Sequence, residues 1–218
     1  MGIYISFKKR LAVDKQAKHI VVKFTLGHVE RGFLIMTREE AYKLLKKNLK
    51  QRNLVKHCLA VEAVMEKLAG HFNEDEDKWG LAGLLHDIDY GETSDDSERH
   101  SIVGAEMLDE LGLDNDIVYA VKAHNGIHGL PRKKMIDKAL YASDPLTGLI
   151  VASALIHPDK KLNSIDGDFV VKRYGEKSFA RGADREVIAS CSEMDMELEE
   201  FVSIALKAMQ GISDELGL

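Results

Sequence analysis

The pattern of apolar and polar residues changes near residue 36. Residues 1–35 are rich in β-branched and basic side chains, and part of this stretch alternates as a β-strand does. From residue 37 onward, apolar residues recur every three or four positions, which is typical of amphipathic helices. We therefore predict a small β-like N-terminal extension, residues 1–36, followed by one all-α domain, residues 37–218. Met36 suggests a second translation start, and under that hypothesis the extension lies upstream of the native protein.

Short polar loops separate the predicted helices. Thr37 and Glu40 have the spacing of a capping box, and Asn53, Asn115 and Asp184 stand where N-caps belong. A looser segment is expected between the sixth and seventh helices, up to about residue 182. The predicted helices cover approximately residues 38–51, 54–71, 75–88, 96–112, 115–125, 133–156, 183–192 and 196–214.

Five of these helices carry a histidine or an aspartate on their apolar side. In the second helix, for example, His57 shares a face with Leu54, Val61 and Val64. Leaving such a group unpaired in a core costs about 1–3 kcal/mol, and more for a charged aspartate. Each group therefore needs a partner, and a metal site would satisfy all of them together. The residues concerned are His57, His86, His100, His124 and Asp144, with Asp87 adjoining His86.

Four imidazoles and two carboxylates form a donor set for divalent transition metals. Nitrogen and oxygen donors without thiolates suit iron, manganese, zinc or nickel. Six donors are too many for one ion that must keep a position open, but they suit two ions bridged by a carboxylate and a water. We therefore predict two divalent ions per chain, with iron or manganese favoured. His128 competes with His124 as a ligand, but it lies in a glycine-flanked loop. Any single histidine could instead be an ordinary core residue.

The order H…HD…H…H…D resembles the HD-domain superfamily of metal-dependent phosphohydrolases. The local contexts are similar too, over residues 37 to about 156: "NLVKHCLAVEAVM", "WGLAGLLHDID", "RHSIVGAEML", "AVKAHN" and "DKALYASDPLTGLI". The resemblance implies a helical bundle in which Asp87 bridges two metals. It assigns His57, His86 and Asp144 to one metal, and His100 and His124 to the other. The last two histidines resemble the binuclear subset, which includes diadenosine tetraphosphate hydrolases and di-iron oxygenases.

Two stretches depart from better-known members. The segment "HNGIHGLPRKK" lacks the motif of the cyclic-di-GMP phosphodiesterases. Tyr90 stands where many HD hydrolases have a phosphate-binding lysine, and it is a candidate substrate-binding residue here. The acidic pair that follows the HD motif in alarmone hydrolases is absent, because Tyr90 and Gly91 occupy those places.

The chemistry implied is hydrolysis of a phosphate monoester or diester with a metal-bound water as nucleophile. Asp87, Asp89 and Lys138 are the candidate catalytic residues, and Lys138 and Arg181 are candidate phosphate clamps. Asp89 could shuttle a proton to the leaving group, support a ligand from outside, or cap a loop. Two alternatives share the same ligands: a di-iron oxygenase and a non-catalytic metal-binding regulatory module.

The charge and composition of the chain restrict the kinds of partner that we expect it to bind. The net charge of -6 over 218 residues lacks the basic footprint of nucleic-acid binding. We therefore expect a small phosphate-bearing substrate such as a nucleotide, and no nucleic acid. Two distant cysteines, Cys58 and Cys191, fit a reducing, cytoplasmic location. The chain has no stretch of 18 uninterrupted apolar residues, so we expect no membrane partner. The oligomeric state is left open.

Overall fold

The N-terminal strands form a small antiparallel sheet. The computed structural model describes the backbone of residues 10–13, 20–26 and 29–34, and it describes residues 36–218 with their side chains. Strands β1 (Arg10–Val13), β2 (Ile20–Leu26) and β3 (Val29–Leu34) pair in the order β1-β2-β3. Arg10 lies opposite Lys23 in the first pair, and Val21 lies opposite Leu34 in the second. The hypothesis of a start at Met36 stays a prediction.

The rest of the described chain is a bundle of helices, as predicted. Thr37 forms the expected capping box with Glu40, and Asp184 caps its helix by accepting from two backbone N–H groups. The helices are α1 (Arg38–Asn48), α2 (Arg52–Phe72), α3 (Glu76–Leu85), α4 (Tyr90–Thr93), α5 (Ile102–Glu110), α6 (Asn115–Ala123), α7 (Met135–Ile156), α8 (Gly167–Tyr174), α9 (Arg185–Ala189), α10 (Leu198–Gly211) and α11 (Ser213–Leu216), with 3-10 turns at Gly126–His128, Leu162–Ser164 and Ser190–Met194.

Helix α7 forms the centre of the bundle and packs against α2, α6, α8, α9 and α10. Its length and its apolar composition would also suit a membrane span. However, 56% of its most apolar window is buried among the other helices, as in the core helix of a globular domain. Pro145 lies inside α7 and has no N–H to donate, so one helical hydrogen bond is missing next to Asp144.

Helices α2 and α3 make the most extensive helix–helix contact in the described chain. Gly83 permits it, because a Cβ at this position would lie 2.9 Å from backbone atoms of Val61 and Glu62. Glu62 is buried beside this contact and accepts two hydrogen bonds from the Arg38 guanidinium, at 2.7 and 2.8 Å. The close approach of the two helices brings His57 on α2 near the end of α3.

Several predicted boundaries were wrong. Helix α5 begins at residue 102 rather than 96, because Asp89 accepts from the N–H of Ser101 just before the helix and from that of Gly104 in its first turn. Helix α8 lies in the segment expected to be loose, where Asp166 caps it by accepting from the N–H of Phe169. Gln51 rather than Asn53 is the N-cap of α2, and Asp114 rather than Asn115 is the N-cap of α6.

Candidate metal centre

The six predicted ligands converge on one place in the bundle. His57 comes from the first half of α2 and Asp144 from the middle of α7. His86 and His124 stand at the C-terminal ends of α3 and α6. His100 lies on the turn before α5, and Asp87 follows His86. Their donor atoms form three overlapping groups, within each of which all atoms lie within 4.8 Å of one another.

One half of the cluster contains His57, His86 and Asp144. The Nε2 atom of His57 lies 3.0 Å from Oδ1 of Asp144 and 3.2 Å from Nε2 of His86. The Oδ2 atom of Asp87 faces this half, at 3.4 Å from His86 Nε2 and 3.8 Å from His57 Nε2.

The other half contains His100 and His124. The second oxygen of Asp87, Oδ1, lies 3.4 Å from Nε2 of His100 and 3.6 Å from Nε2 of His124. Each oxygen of Asp87 therefore faces a different pair of histidines, as a bridging carboxylate would.

All four histidines are oriented through Nδ1. His86 and His124 donate to the carbonyls three residues earlier, those of Gly83 and Val121, at 2.8 and 2.6 Å. These carbonyls belong to helix ends, where no helical N–H reaches them. Because a carbonyl only accepts, Nδ1 carries the proton and Nε2 presents its lone pair to the cluster. This is the orientation of metal-binding histidines.

The other two histidines are fixed by side chains. His57 Nδ1 lies 3.2 Å from Oγ1 of Thr147, whose hydroxyl donates to the Asp144 carbonyl and therefore accepts from the imidazole. His100 Nδ1 lies 3.1 Å from a carboxylate oxygen of Asp89.

The donor set fits a cation. With Nδ1 protonated in both rings, the Nε2 lone pairs of His57 and His86 face each other at 3.2 Å, which is repulsive without a positive charge between them. The Nε2 atom of His124 is buried and has no hydrogen-bond partner among the described residues. An orphaned buried nitrogen costs about 1–3 kcal/mol, and a divalent ion would satisfy it.

The electrostatics keep Asp87 ionised. Burial alone would raise the pKa of this carboxyl, but His86, His124 and His57 outweigh it and hold the pKa well below its usual range. Burial lowers the pKa of His86. Burial acts in the same direction on His57 and His124, but the neighbouring carboxylates of Asp144 and Asp87 reverse its effect and raise both pKa values. The cluster therefore attracts positive charge.

Asp89 supports His100 from outside the cluster. Its carboxylate is buried and accepts from the N–H groups of Ser101 and Gly104, at 2.8 and 3.0 Å, as well as from His100. Ser101 has a φ of +71°, so these bonds hold a strained turn. The contacts favour the supporting role of Asp89 over the proton shuttle.

The other candidate residues are less close to the cluster. The ring of Tyr90 packs edge-on against His100, with centroids 5.1 Å apart. The ammonium of Lys138 donates to the Glu193 carbonyl at 2.8 Å. Its roles in catalysis and phosphate binding stay predictions. Arg181 is exposed on a segment that borders the cluster. His128 bonds to the His100 carbonyl at 2.9 Å and is not part of the cluster.

Apart from Asp89, the residues that orient the ligands were not predicted from the sequence. Thr147 lies three positions after Asp144 on the same helix face, and this spacing could have identified it. Gly83 precedes His86 by one turn, but nothing in the pattern showed that its missing side chain permits the helix contact.

Three cavities reach ligands of the cluster, and two of them share Asp144. One, of about 500 Å³, reaches His100, His124 and Asp144. The other, of about 350 Å³, reaches His57 and Asp144. Gly182 borders both, so the segment that carries Arg181 forms a shared wall. A substrate could therefore reach both halves of the cluster.

The chain is similar to one protein family and to several known proteins. The HD domain family matches residues 54–155. An uncharacterized protein of Methanocaldococcus jannaschii is 31% identical over 150 residues, which cover 65% of this chain and 86% of that protein. Ribonuclease Y of Oleidesulfovibrio alaskensis is 28% identical over 66% of this chain, but the match spans only 28% of the ribonuclease. A tRNA (cytidine(56)-2'-O)-methyltransferase of Thermoplasma volcanium is 30% identical over 61% of this chain and 39% of its own length.

These relatives correct one expectation. We expected a small phosphate-bearing substrate and no nucleic acid, yet the names of two of these relatives refer to RNA. The expectation was wrong because it used the net charge of the whole chain, whereas affinity for a phosphate depends on the local charge at the site.

The predictions of the family, the fold class and a divalent-metal site agree with the comparisons. The HD domain match and the histidine–aspartate cluster indicate a divalent-metal site. The same match and the ribonuclease relatives assign the chain to the hydrolases of phosphate ester bonds. With its all-helical bundle and its H…HD…H…H…D residues in one cluster, the chain belongs to the HD-domain family.

Proposed function

We propose that this protein is a metal-dependent phosphodiesterase that cleaves RNA, using two divalent ions per chain. The observation that carries the binuclear part is the position of Asp87, whose two oxygens face different pairs of histidines. The ribonuclease relatives support RNA as the substrate. Iron and manganese are the favoured metals, and zinc and nickel also suit this donor set.

The six residues would divide between the two ions. His57, His86 and Asp144 would hold one ion, His100 and His124 would hold the other, and Asp87 would contact both. When bound, the ions supply an acidified water as nucleophile and neutralise charge on the phosphoryl group.

The chain itself supplies position and charge. The carbonyls of Gly83 and Val121, the Thr147 hydroxyl and the Asp89 carboxylate keep the four rings in place before substrate arrives. Preorganised donors of this kind lower the barrier because little rearrangement is needed during the reaction. Two carboxylates against two divalent ions leave a net positive site, which suits the anionic phosphodiester.

The walls around the cluster would hold the rest of the substrate. Both cavities meet at Asp144, so a nucleotide on each side of the scissile phosphate could lie in a separate cavity. Arg181, which is exposed and adjoins Gly182 on the shared wall, is the candidate phosphate clamp.

The test begins with metal content by elemental analysis, on protein purified without chelator. We expect about two equivalents of iron or manganese, reduced in His124→Ala but not in the control His71→Ala, whose side chain lies outside the cluster. Short RNA oligonucleotides are then incubated with protein loaded with Mn²⁺ or Fe²⁺, and the products are resolved by electrophoresis.

Cleavage by the wild type and by His71→Ala, with at least a hundred-fold loss in His124→Ala, is the expected result. Consumption of dioxygen without RNA cleavage would contradict the proposal and favour a di-iron oxygenase. Two bound ions without turnover of RNA or of any phosphodiester would instead indicate a regulatory metal-binding module.

A further inference from the structure

An exposed apolar side chain lines the cavity that reaches His100, His124 and Asp144. Ile127 lies on the 3-10 turn Gly126–His128, with 55% of its surface exposed. The same cavity contains His100, His124 and Asp144. An exposed isoleucine is unremarkable alone, but this one adjoins three of the proposed metal ligands.

The turn that carries Ile127 is held firmly. The amide of Asn125 donates to the carbonyls of Ser97 and His100, at 2.9 and 3.2 Å, and its oxygen accepts from the N–H of Ile127 at 3.2 Å. His128 adds a bond to the same His100 carbonyl, at 2.9 Å. Ile127 is thus exposed on a fixed support, and ligand binding would cost little ordering entropy.

An aromatic ring also lines this cavity. Tyr141 lies on α7 about one turn before Asp144, and Pro145 and Val187 continue the surface. The guanidinium of Arg132 covers one side of the Tyr141 ring, with its central carbon 4.1 Å from the ring centroid. The cavity of about 500 Å³ lies within the range of small-molecule sites.

We infer that Ile127 and Tyr141 form a subsite for the nucleobase next to the scissile phosphate. The inference rests on the proposed function, because it needs a nucleotide whose phosphate lies at the metal cluster. A base is flat and largely apolar on its faces, and it can pack between an aliphatic and an aromatic side chain.

The subsite recognises the presence of a base more than its identity. The amide of Asn125 is used by the turn, and Asp184 accepts from the N–H groups of Glu186 and Val187 as a helix cap. The amide of Asn125 and Oδ1 of Asp184 are therefore engaged within the protein, so packing on the base faces contributes more to binding than these two groups do. Packing of this kind tolerates all four bases.

The first test compares binding of two ligands that share a phosphate. Adenosine 5'-monophosphate carries a base and ribose 5-phosphate does not, and calorimetry measures the affinity of each for Mn²⁺-loaded protein. We expect Ile127→Ala to weaken binding of the base-containing ligand about ten-fold and to leave ribose 5-phosphate unchanged. The control is Ile156→Ala, an isoleucine that is also half exposed (50%) but lies at the far end of α7.

Tyr141 provides a second variant. Tyr141→Phe keeps the ring and should bind the base-containing ligand like the wild type, whereas Tyr141→Leu should weaken it. Equal loss for both ligands in Ile127→Ala, or no preference of the wild type for the ligand with a base, would overturn the subsite.

A kinetic test separates the subsite from the proposed function. With dinucleotides of each base, Ile127→Ala should raise KM by a similar factor for all four and change kcat less. RNA cleavage with an unchanged KM in Ile127→Ala would refute the subsite alone. If the wild type cleaves no RNA but still prefers the ligand with a base, and Ile127→Ala removes that preference, the subsite stands and the proposed substrate is wrong.

Discussion

Replacing Gly83 by alanine should destabilise the protein, although alanine favours helices more than glycine does. Gly83 lies in α3, where alanine would gain about 1 kcal/mol of helix propensity. Its Cβ, however, would lie 2.9 Å from the Glu62 Cα, the Glu62 N and the Val61 carbonyl carbon. These are backbone atoms, so relief requires α2 and α3 to move apart.

The size of the effect follows from these opposing terms. Overpacking of a well-packed contact costs typically about 1–3 kcal/mol, and three backbone contacts under 3 Å place this site at the upper end. After the propensity gain, we expect a net loss of about 2 kcal/mol in the free energy of unfolding. For a domain of this size, that corresponds to a fall in Tm of roughly 4–8 °C.

The control for this prediction is Gly148→Ala in α7, where a Cβ meets nothing within 4 Å. The free energy of unfolding of that variant should rise by up to about 1 kcal/mol, so the two substitutions should have opposite effects on stability. Urea unfolding of metal-free protein measures both. Gly83→Ala should also bind less metal, because the Gly83 carbonyl orients His86. A Gly83→Ala protein as stable as the wild type would refute the reasoning from the close helix contact.

Two further predictions concern carboxylates. Asp89→Ala should lower the free energy of unfolding by about 2–4 kcal/mol, because it removes the contacts that hold His100 and the strained turn beside it. The metal content should fall toward one equivalent. Elemental analysis against the control Asp95→Ala, an exposed neighbour, checks this, and two retained equivalents would contradict it. For Asp116, burial alone would raise the pKa, but two lysine ammonium groups within 2.7 Å outweigh burial and lower the pKa from 3.8. Its ion pairs therefore stabilise the fold fully at pH values above the ordinary aspartate pKa. Asp116→Asn should therefore lower the free energy of unfolding by about 1 kcal/mol at neutral pH, and this difference from the wild type should vanish as the pH falls through the lowered pKa. Urea unfolding measures it, with Asp159→Asn as the control. A difference that persists at low pH would argue against the ion pairs as its cause.

Local signals in the sequence were enough to predict much of the fold. The capping box at Thr37 depends on two residues three positions apart, so it needs no knowledge of the tertiary structure. The start of α5 could not be predicted in this way, because Asp89 takes up the N–H groups of Ser101 and Gly104 from another part of the chain. Tertiary contacts of this kind override helical periodicity, and they account for the six residues by which the predicted helix began too early.

The same division applies to the site. The ligands could be predicted because a buried imidazole or carboxylate is costly wherever its partner lies, so each one is conspicuous on an apolar stripe. The walls of the cavity have no such signature: Ile127 and Tyr141 are ordinary residues until folding places them beside the ligands. The net charge misled for a related reason. It sums groups over the whole surface, while a phosphodiester at the cluster would experience mainly the metals and the side chains within a few ångströms, since exposed charges beyond about 10 Å are largely screened by salt. An acidic protein can therefore hold an RNA phosphate, provided that the positive charge is concentrated where the ligands converge.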